Sequence, residues 1–312
     1  MSQPTILPGG VWESLLPTAF MLIDEISIHG GIKEPQFTFG GGTVLMLRYN
    51  HRYSKDIDIF VPDPQYLGYV TPRLCDLADS LCDSQYAEAA NFVKLQLAQG
   101  EIDFVASLNL LPDIHAFEQW DLFGRSVKVE TAAEIIAKKM YHRGDQATPR
   151  DLFDLAMVIE TDTAALRFAH HFLYRHLDAF TANLEKRVQQ MKQRFKAIET
   201  LAYDPTFEHA IDVVKKYCKK IQNIRQRSEE SAFAFLALRH LPHKICDITK
   251  GNYAGQILYR SDRHIVQGID AGSAIVHDIA AFGLSTAEEC TVGKDVRLKY
   301  RNGHLTATAM SL

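Results

Sequence analysis

Over residues 11–28 (VWESLLPTAFMLIDEISI) apolar positions return every three to four residues, a period that predicts an amphipathic helix which Pro17 should kink or split. The next stretch, QFTFGGGTVLMLRY, reads as a short strand, a triple-glycine turn and an apolar helix. KDIDIFVP alternates polar with apolar residues and predicts a strand ended by Pro62. A helix is expected over residues 72–90, and FVKLQLAQGEIDFVAS reads as two strands joined near Gly100. Two helices follow, AAEIIAKKMYHR and RDLFDLAMVIE. Thr148, Pro149 and Asp151 give the second a clear start signature.

Strands and helices alternate from about residue 30 to 160, as in an α/β or α+β domain. From about 163 to 245 the pattern is helical and polar-faced. After Pro242 it turns to short β-rich runs (GNYAGQILYR, HIVQGI, AIVHDIA, DVRLKYRNGHLTATAM) broken by glycine, with Asn302-Gly303 as a hairpin turn. The expected organisation is therefore an α+β domain over 1–160, a helical domain over 161–245 and a small β-rich domain over 249–312.

Composition narrows the function classes. A chain of 312 residues, 46% hydrophobic and 23% charged, can bury a sizeable core, and its net charge of −4 rules out a uniformly basic nucleic-acid coat. Any polyanion site must be local. One candidate is the stretch 183–227, where eleven Lys and Arg face five Asp and Glu; a solvated bundle face reads equally well there. The five cysteines (Cys75, Cys82, Cys218, Cys246, Cys290) lack paired spacing, which argues against a disulfide framework or a thiolate zinc site. No secretion signal and no apolar run of membrane-spanning length is evident, so the cytoplasm is the expected address.

The chemistry concentrates in three places. Gly40-Gly41-Gly42-Thr43 lets backbone N–H groups converge at a helix start, a natural phosphate cradle. In Ser54-Lys55-Asp56-Ile57-Asp58 the two acids sit two apart, so on a strand both project from one face while Ile57 and Ile59 face the core. Like charges so close favour a shared hard cation such as Mg²⁺. Asp103, inside the apolar strand EIDFV, is the third acid, with Glu101 on the same face as its competitor. Three carboxylates could bind the one or two metals that clamp the oxygens of a phosphoryl transfer. Downstream, a helix lysine, Lys139 or its neighbour Lys138, could stabilise a leaving pyrophosphate. Adjacent helical residues point about 100° apart, so only one of them faces the site. Asp151 doubles as a helix cap, whereas Asp154, one turn on, has no capping role and is the better candidate to position a base, lysine or nucleophile. His51-Arg52 could contact phosphate. His170, His171 and His176 share one helix without acids at metal spacing and read as structural.

The run GGGTVLMLRYNHRYSKDIDIF resembles the signature of the AbiEii/AbiGii nucleotidyltransferase toxins, a branch of the polymerase-beta nucleotidyltransferase superfamily. EIIAKKMYHRGDQATPRDLFDLA resembles their second block. The resemblance covers about residues 30–160 and implies a polymerase-beta-type core in which Gly41, Gly42 and Thr43 hold phosphates with Ser54 and Arg52 nearby. It further implies Mg²⁺ on Asp56 and Asp58, Lys139 against the triphosphate, and Asp151 and Asp154 as second-block acids. GNYAGQIL, HIVQ, AIVH and GKDVRLKY resemble a KfrB-type domain, which points to mobile elements. The expected reaction moves a nucleoside monophosphate from an NTP to an acceptor. By resemblance that acceptor is the 3′ end of tRNA, the protein is a toxin in phage defence (abortive infection) or plasmid maintenance, and an antitoxin is encoded alongside. A transferase acting on protein or a small molecule, and a nucleic-acid-binding or partner-binding protein with a degenerate transferase domain, are the competing expectations.

Overall fold

The structure, a computed structural model, describes residues 3–270, 272–279, 289–301 and 304–310. The chain divides into two compact units, Met1–Ala169 with Ala179–Val213, and His170–Asp178 with Val214–Leu312. Residues 161–245 are thus distributed between the units, and so is the basic stretch 183–227.

The first unit is built on a seven-stranded sheet. Its strands are β1 (Thr38–Gly40), β2 (Ile57–Val61), β3 (Tyr86–Ala89), β4 (Phe92–Leu97), β5 (Gly100–Ala106), β6 (Phe117–Leu122) and β7 (Arg125–Glu130), in the order β3-β4-β5-β2-β1-β7-β6. Its helices include α1 (Trp12–Gly30), α2 (Gly41–Tyr49), α3 (Asp76–Cys82), α4 (Asp113–Ala116), α5 (Ala132–Arg143) and α6 (Pro149–Thr161). The strands that matter most alternate as their sequences require: Ile57, Ile59 and Val61 of β2, and Ile102 and Phe104 of β5, are buried, while the intervening Asp58, Phe60, Asp103 and Val105 are only partly so. Helix α1 packs along β2 and β5, and its buried stripe of Leu15, Leu16, Ala19, Leu22, Ile23 and Ile26 closes that side of the core.

Three elements depart from the sequence expectations. Helix α1 runs unbroken through Pro17; packing of its apolar stripe outweighs the one hydrogen bond the proline removes. The helix expected over 72–90 is confined to α3, and the residues after it form β3, an edge strand whose exposed YAEA face carries no alternation to reveal it. The β6–β7 hairpin lies where no element was expected. Its turn places Phe123 (φ 55°) and Gly124 (φ 71°) both in the left-handed region, a turn usually written with Asn or Gly at the first position. Helices α5 and α6 match their predicted spans, each started by a threonine side chain, Thr131 and Thr148.

The remaining helices are α7 (His170–Lys186), α8 (Val188–Lys196) and α9 (Phe207–Leu238). The second unit contains strands β8 (His243–Lys244), β9 (Asn252–Arg260), β10 (His264–Asp270), β11 (Ser273–Asp278), β12 (Asp295–Arg301) and β13 (His304–Ala309), ordered β13-β12-β9-β10-β11-β8. Ile257, Ile265, Val296, Leu298, Tyr300 and Leu305 form its core. Strands β12 and β13 pair antiparallel from Arg301↔His304 outward, and the expected Asn302-Gly303 turn lies outside the described residues. Among the described residues no helix is long and apolar enough to cross a membrane.

Candidate active site

One row across the first sheet gathers the chemistry. Gly40 of β1 is the register partner of Asp58 on β2, Asp58 of Asp103 on β5, and Asp103 of Lys94 on β4. Side chains in register on neighbouring strands share a face, so the two acids stand side by side with a lysine at the end of the row. Asp56 precedes β2 by one residue and joins them in a cleft of about 660 Å³. Asp56 and Asp58 therefore line one cleft with Gly42, although Asp56 lies just outside the strand on which the sequence reading placed both.

Crowding of negative charge shows in the ionisation of all three. Burial, then Asp103 and Asp56, push the Asp58 carboxyl up to about 7. Burial and Glu101 raise Asp56, against the pull of Arg150. Burial also raises Asp103, with Lys94 opposing. Glu101, the competitor, bonds Lys94 Nζ at 2.7 Å and has no place in the row. Asp103 keeps one oxygen, Oδ1, buried and without a hydrogen-bond partner.

The three glycines make room for functional side chains. At Gly41 (φ +73°) a Cβ would lie 1.8 Å from Asp58 Oδ2. At Gly42 it would lie 2.7 Å from Arg52 Nη2 and 3.1 Å from Ser54 Oγ, and at Gly40 2.2 Å from Glu130 Oε2. Gly41 and Gly42 open helix α2 beside the acids, so its first N–H groups and positive end face the same region. Thr43 corrects the sequence reading. Its side chain is fully buried and its hydroxyl donates to the carbonyl of Asp56, so it braces the acid segment and is not available to a phosphate.

Opposite the acids, α5 and α6 supply a buried ion network. Lys139 Nζ lies 2.8 Å from both Asp151 Oδ1 and Asp154 Oδ2. Arg52 forks onto Asp154, Nε to Oδ1 at 2.7 Å and Nη2 to Oδ2 at 2.9 Å. His51 Nε2 is 2.9 Å from Asp154 Oδ1. Burial pushes the Asp154 carboxyl up, but Arg52 and Lys139 outweigh it and hold the group well below the ordinary carboxylate range. Burial keeps His51 neutral by lowering its pKa.

Asp154 is thus fully enclosed and cannot touch a substrate. It holds Arg52 and Lys139 in place, the positioning role read for it, and so does not stand among the groups that touch the reacting atoms. Arg52 likewise spends its fork on a carboxylate, and only its edge beside Gly42 borders the cleft. Ser54 and Lys139 line the cleft as expected. The alternative lysine, Lys138, turns instead to Glu130 Oε1 at 2.5 Å and caps the Phe60 ring at 3.8 Å from its centroid. Asp151 does two jobs: it closes a capping box with Thr148 and accepts from Lys139 and from Arg143 at 3.0 Å.

The sequence missed the cations that remain open to the cleft. Arg143 is 49% and Arg150 66% exposed, and Arg194 of α8 lines the same wall. Arg150 sits 3.7 Å from Asp56. Arg143 ends α5 and Arg150 lies within the Thr148–Asp151 cap, and those positions were the available signal. A second hollow of about 210 Å³ shares Gly42, Asp58, Asp103, Lys139 and Arg143 with the cleft, reaches Gly41, and is walled by Phe60, Val105 and Ile135. In the second unit His170 pairs with Tyr217 (2.7 Å) and is buried, a structural role as read; the side chain of His171 lies outside the described ones.

Residues 31–219 match the model of the nucleotidyl transferase AbiEii toxin family, a type IV toxin–antitoxin system. This chain belongs to the AbiEii nucleotidyltransferase toxin family. The AbiEii match spans the acid row, the glycine triplet and the α5–α6 network together. Residues 252–309 match the KfrB domain, in agreement with the reading of the C-terminal strands. Among solved structures the chain is similar to JHP933 from Helicobacter pylori, at 16% identity over 72% of this chain and 95% of that one, with a TM-score of 0.40. It is also similar to MenT4, a nucleotidyltransferase toxin of Mycobacterium tuberculosis H37Rv, at 15% identity over 67% and 83% of the two chains, with a TM-score of 0.38. No curated protein matches the chain. The AbiEii assignment makes the protein a toxin-type nucleotidyltransferase on an α+β fold.

Proposed function

We propose that the chain transfers a nucleoside monophosphate from a magnesium-bound NTP to the 3′ end of tRNA, in phage defence or plasmid maintenance, and that a co-encoded antitoxin restrains it. The observation that carries the transfer chemistry is the in-register pair Asp58–Asp103 beside Gly41, with Asp56 adjacent.

The residues fit a divalent cation. Asp56 and Asp58 would hold it, with Asp103 alongside, where an unpartnered buried oxygen and a strongly raised neighbouring carboxyl favour a cation. Among the described residues no group of three or more His, Cys, Asp or Glu side chains is set to hold a metal ion by itself, so Asp56 and Asp58 would need further ligands from outside the chain. That suits Mg²⁺, which takes one or two carboxylates and completes its shell with water and nucleotide phosphates. When bound, the ion supplies charge neutralisation at the reacting phosphate.

The chain's own groups supply the rest. Arg143, Arg150 and Arg194 offer positive charge where pyrophosphate would leave, and Lys139 is fixed between two acids at the same wall. Asp103, with its raised affinity for a proton, suits a base that accepts the acceptor hydroxyl proton as oxygen attacks the α-phosphorus. The apolar hollow of Phe60, Val105 and Ile135 suits the nucleoside end of the NTP, because it opens from the same acids. Arg194 and its neighbours in 183–196 give an RNA backbone cations to meet.

The test is incubation with each labelled NTP and total tRNA or cell lysate. Label in tRNA supports the reading, label in protein or in neither assigns a different acceptor, and equal cellular effect of D58A and the native chain defeats catalysis altogether.

A further inference from the structure

Lys94 is the last member of the acid row. It sits on β4 directly opposite Asp103, its ammonium 3.0 Å from Asp103 Oδ2 and 2.7 Å from Glu101 Oε2. The side chain is one-third exposed and lines the cleft, and among the described residues these two carboxylates hold its head. Asp103 in turn stands opposite Asp58, leaving Asp103 with one oxygen on the lysine and the other, Oδ1, buried and unpartnered.

We propose that Lys94 is a resident cation of the acid site, holding the third carboxylate so that a divalent ion is left to Asp56 and Asp58. The inference rests on the metal reading of those acids given above. Four carboxylates converge on one wall of the cleft: Asp56, Asp58, Asp103 and Glu101. A lysine ammonium is a compact point charge on a flexible stem and can occupy the position a second hard cation would otherwise take. It sits within about 3 Å of the oxygen such an ion would need, so the two compete for it. Before nucleotide arrives, the lysine therefore weakens the site for free divalent ions, and it also fixes the rotamer of Asp103. Lys94 is a positioning residue on this view, acting through Asp103.

The test is Mn²⁺ binding to the full chain without nucleotide, followed by electron paramagnetic resonance of the free ion, for the native protein, K94M and K94R. K94M keeps the length of the stem and removes the charge; it should bind Mn²⁺ at least tenfold more tightly than the native protein or take up a second ion. K94R should stay close to the native value. Far-UV circular dichroism and the thermal midpoint check that each variant is folded; if K94M does not fold, K94Q replaces it in the same comparison. Equal or weaker Mn²⁺ binding by the folded neutral variant overturns the proposal. So does tighter binding by K94R equal to that of the neutral variant, since charge would then not be the cause. The readout is independent of transfer: a native chain that binds Mn²⁺ but labels no acceptor defeats the proposed function and leaves this inference standing, whereas unchanged binding in an active enzyme defeats this inference alone.

Discussion

Asp58 on β2 and Asp103 on β5 are register partners on neighbouring parallel strands, two carboxylates set against each other with Lys94 bonded to Asp103 on its far side. Such a pair stores repulsion that only a proton or a bound cation relieves. Asp58→Asn should abolish nucleotidyl transfer, lowering it by roughly three orders of magnitude if the acid carries a catalytic ion. The same substitution should raise the thermal midpoint above pH 7. The Asp58 carboxyl is pushed up to about 7, so the native fold binds its proton more tightly than the unfolded chain and loses stability as pH rises toward and past that value. Activity against labelled NTP and a melting curve at pH 8 check both halves; a variant that is active, or that melts lower than native, contradicts the account.

Gly41 tolerates no side chain. Gly41→Ala would place a methyl 1.8 Å from Asp58 Oδ2 in a left-handed backbone conformation, which alone costs about 1–2 kcal/mol. The expected result is a chain that still folds, with a lower denaturation midpoint and with transfer reduced more than stability, because the displaced atom belongs to an acid of the proposed metal site. Urea denaturation alongside a rate measurement separates the two effects.

Asp154 answers for two cations at once. Asp154→Asn takes from Arg52 its carboxylate partner and leaves Lys139 with one acid of two, and breaking a buried pair from one side costs on the order of 3–5 kcal/mol. We expect a drop of that size in unfolding free energy by denaturant titration. Activity in the surviving folded fraction should fall as well, since Lys139 loses one of the two acids that fix it. A variant as stable as the native chain would show that the network is not holding α6 to α5 and to the segment after α2.

Acid should weaken the second unit through its buried histidines. Burial lowers His277 to about 3, and burial with Arg263 lowers His170 to about 3. Between roughly pH 6.5 and 3 the unfolded chain binds these protons and the folded one does not, so stability is present at neutral pH and lost on acidification. For His277 alone the loss between pH 7 and 5 is about 2 kcal/mol. Its Nδ1 lies 2.9 Å from Tyr300 Oη, and His277→Asn can keep an acceptor near that hydroxyl while removing the titration. The melting temperature of the native chain should fall from pH 7 to 5 more steeply than that of H277N.

The site was half legible in the sequence. Period two put Asp56 and Asp58 together, and threonine caps announced α5 and α6, because these are local rules read within one element. What stayed hidden is long-range. Arg52 and Asp154 meet across a separation of 102 residues, and nothing in either segment says that the arginine is spent on a carboxylate and not on phosphate. The burial of Thr43 depends on how α2 lies against the acid segment, and Lys94 looks like any polar position of an amphipathic strand until β4 is paired with β5. The β6–β7 hairpin was missed for a local reason, since Phe123 takes a turn conformation that its side chain does not advertise.

Gly40, Gly41 and Gly42 are each kept bare by a different neighbour: Glu130, Asp58 and Arg52. A run that looks like one motif is therefore three separate locks, keyed from β7, from β2 and from the segment after α2. Drift at any one of them requires a matching change somewhere else in the chain, so in a library of variants the triplet should resist single exchanges far more than double ones.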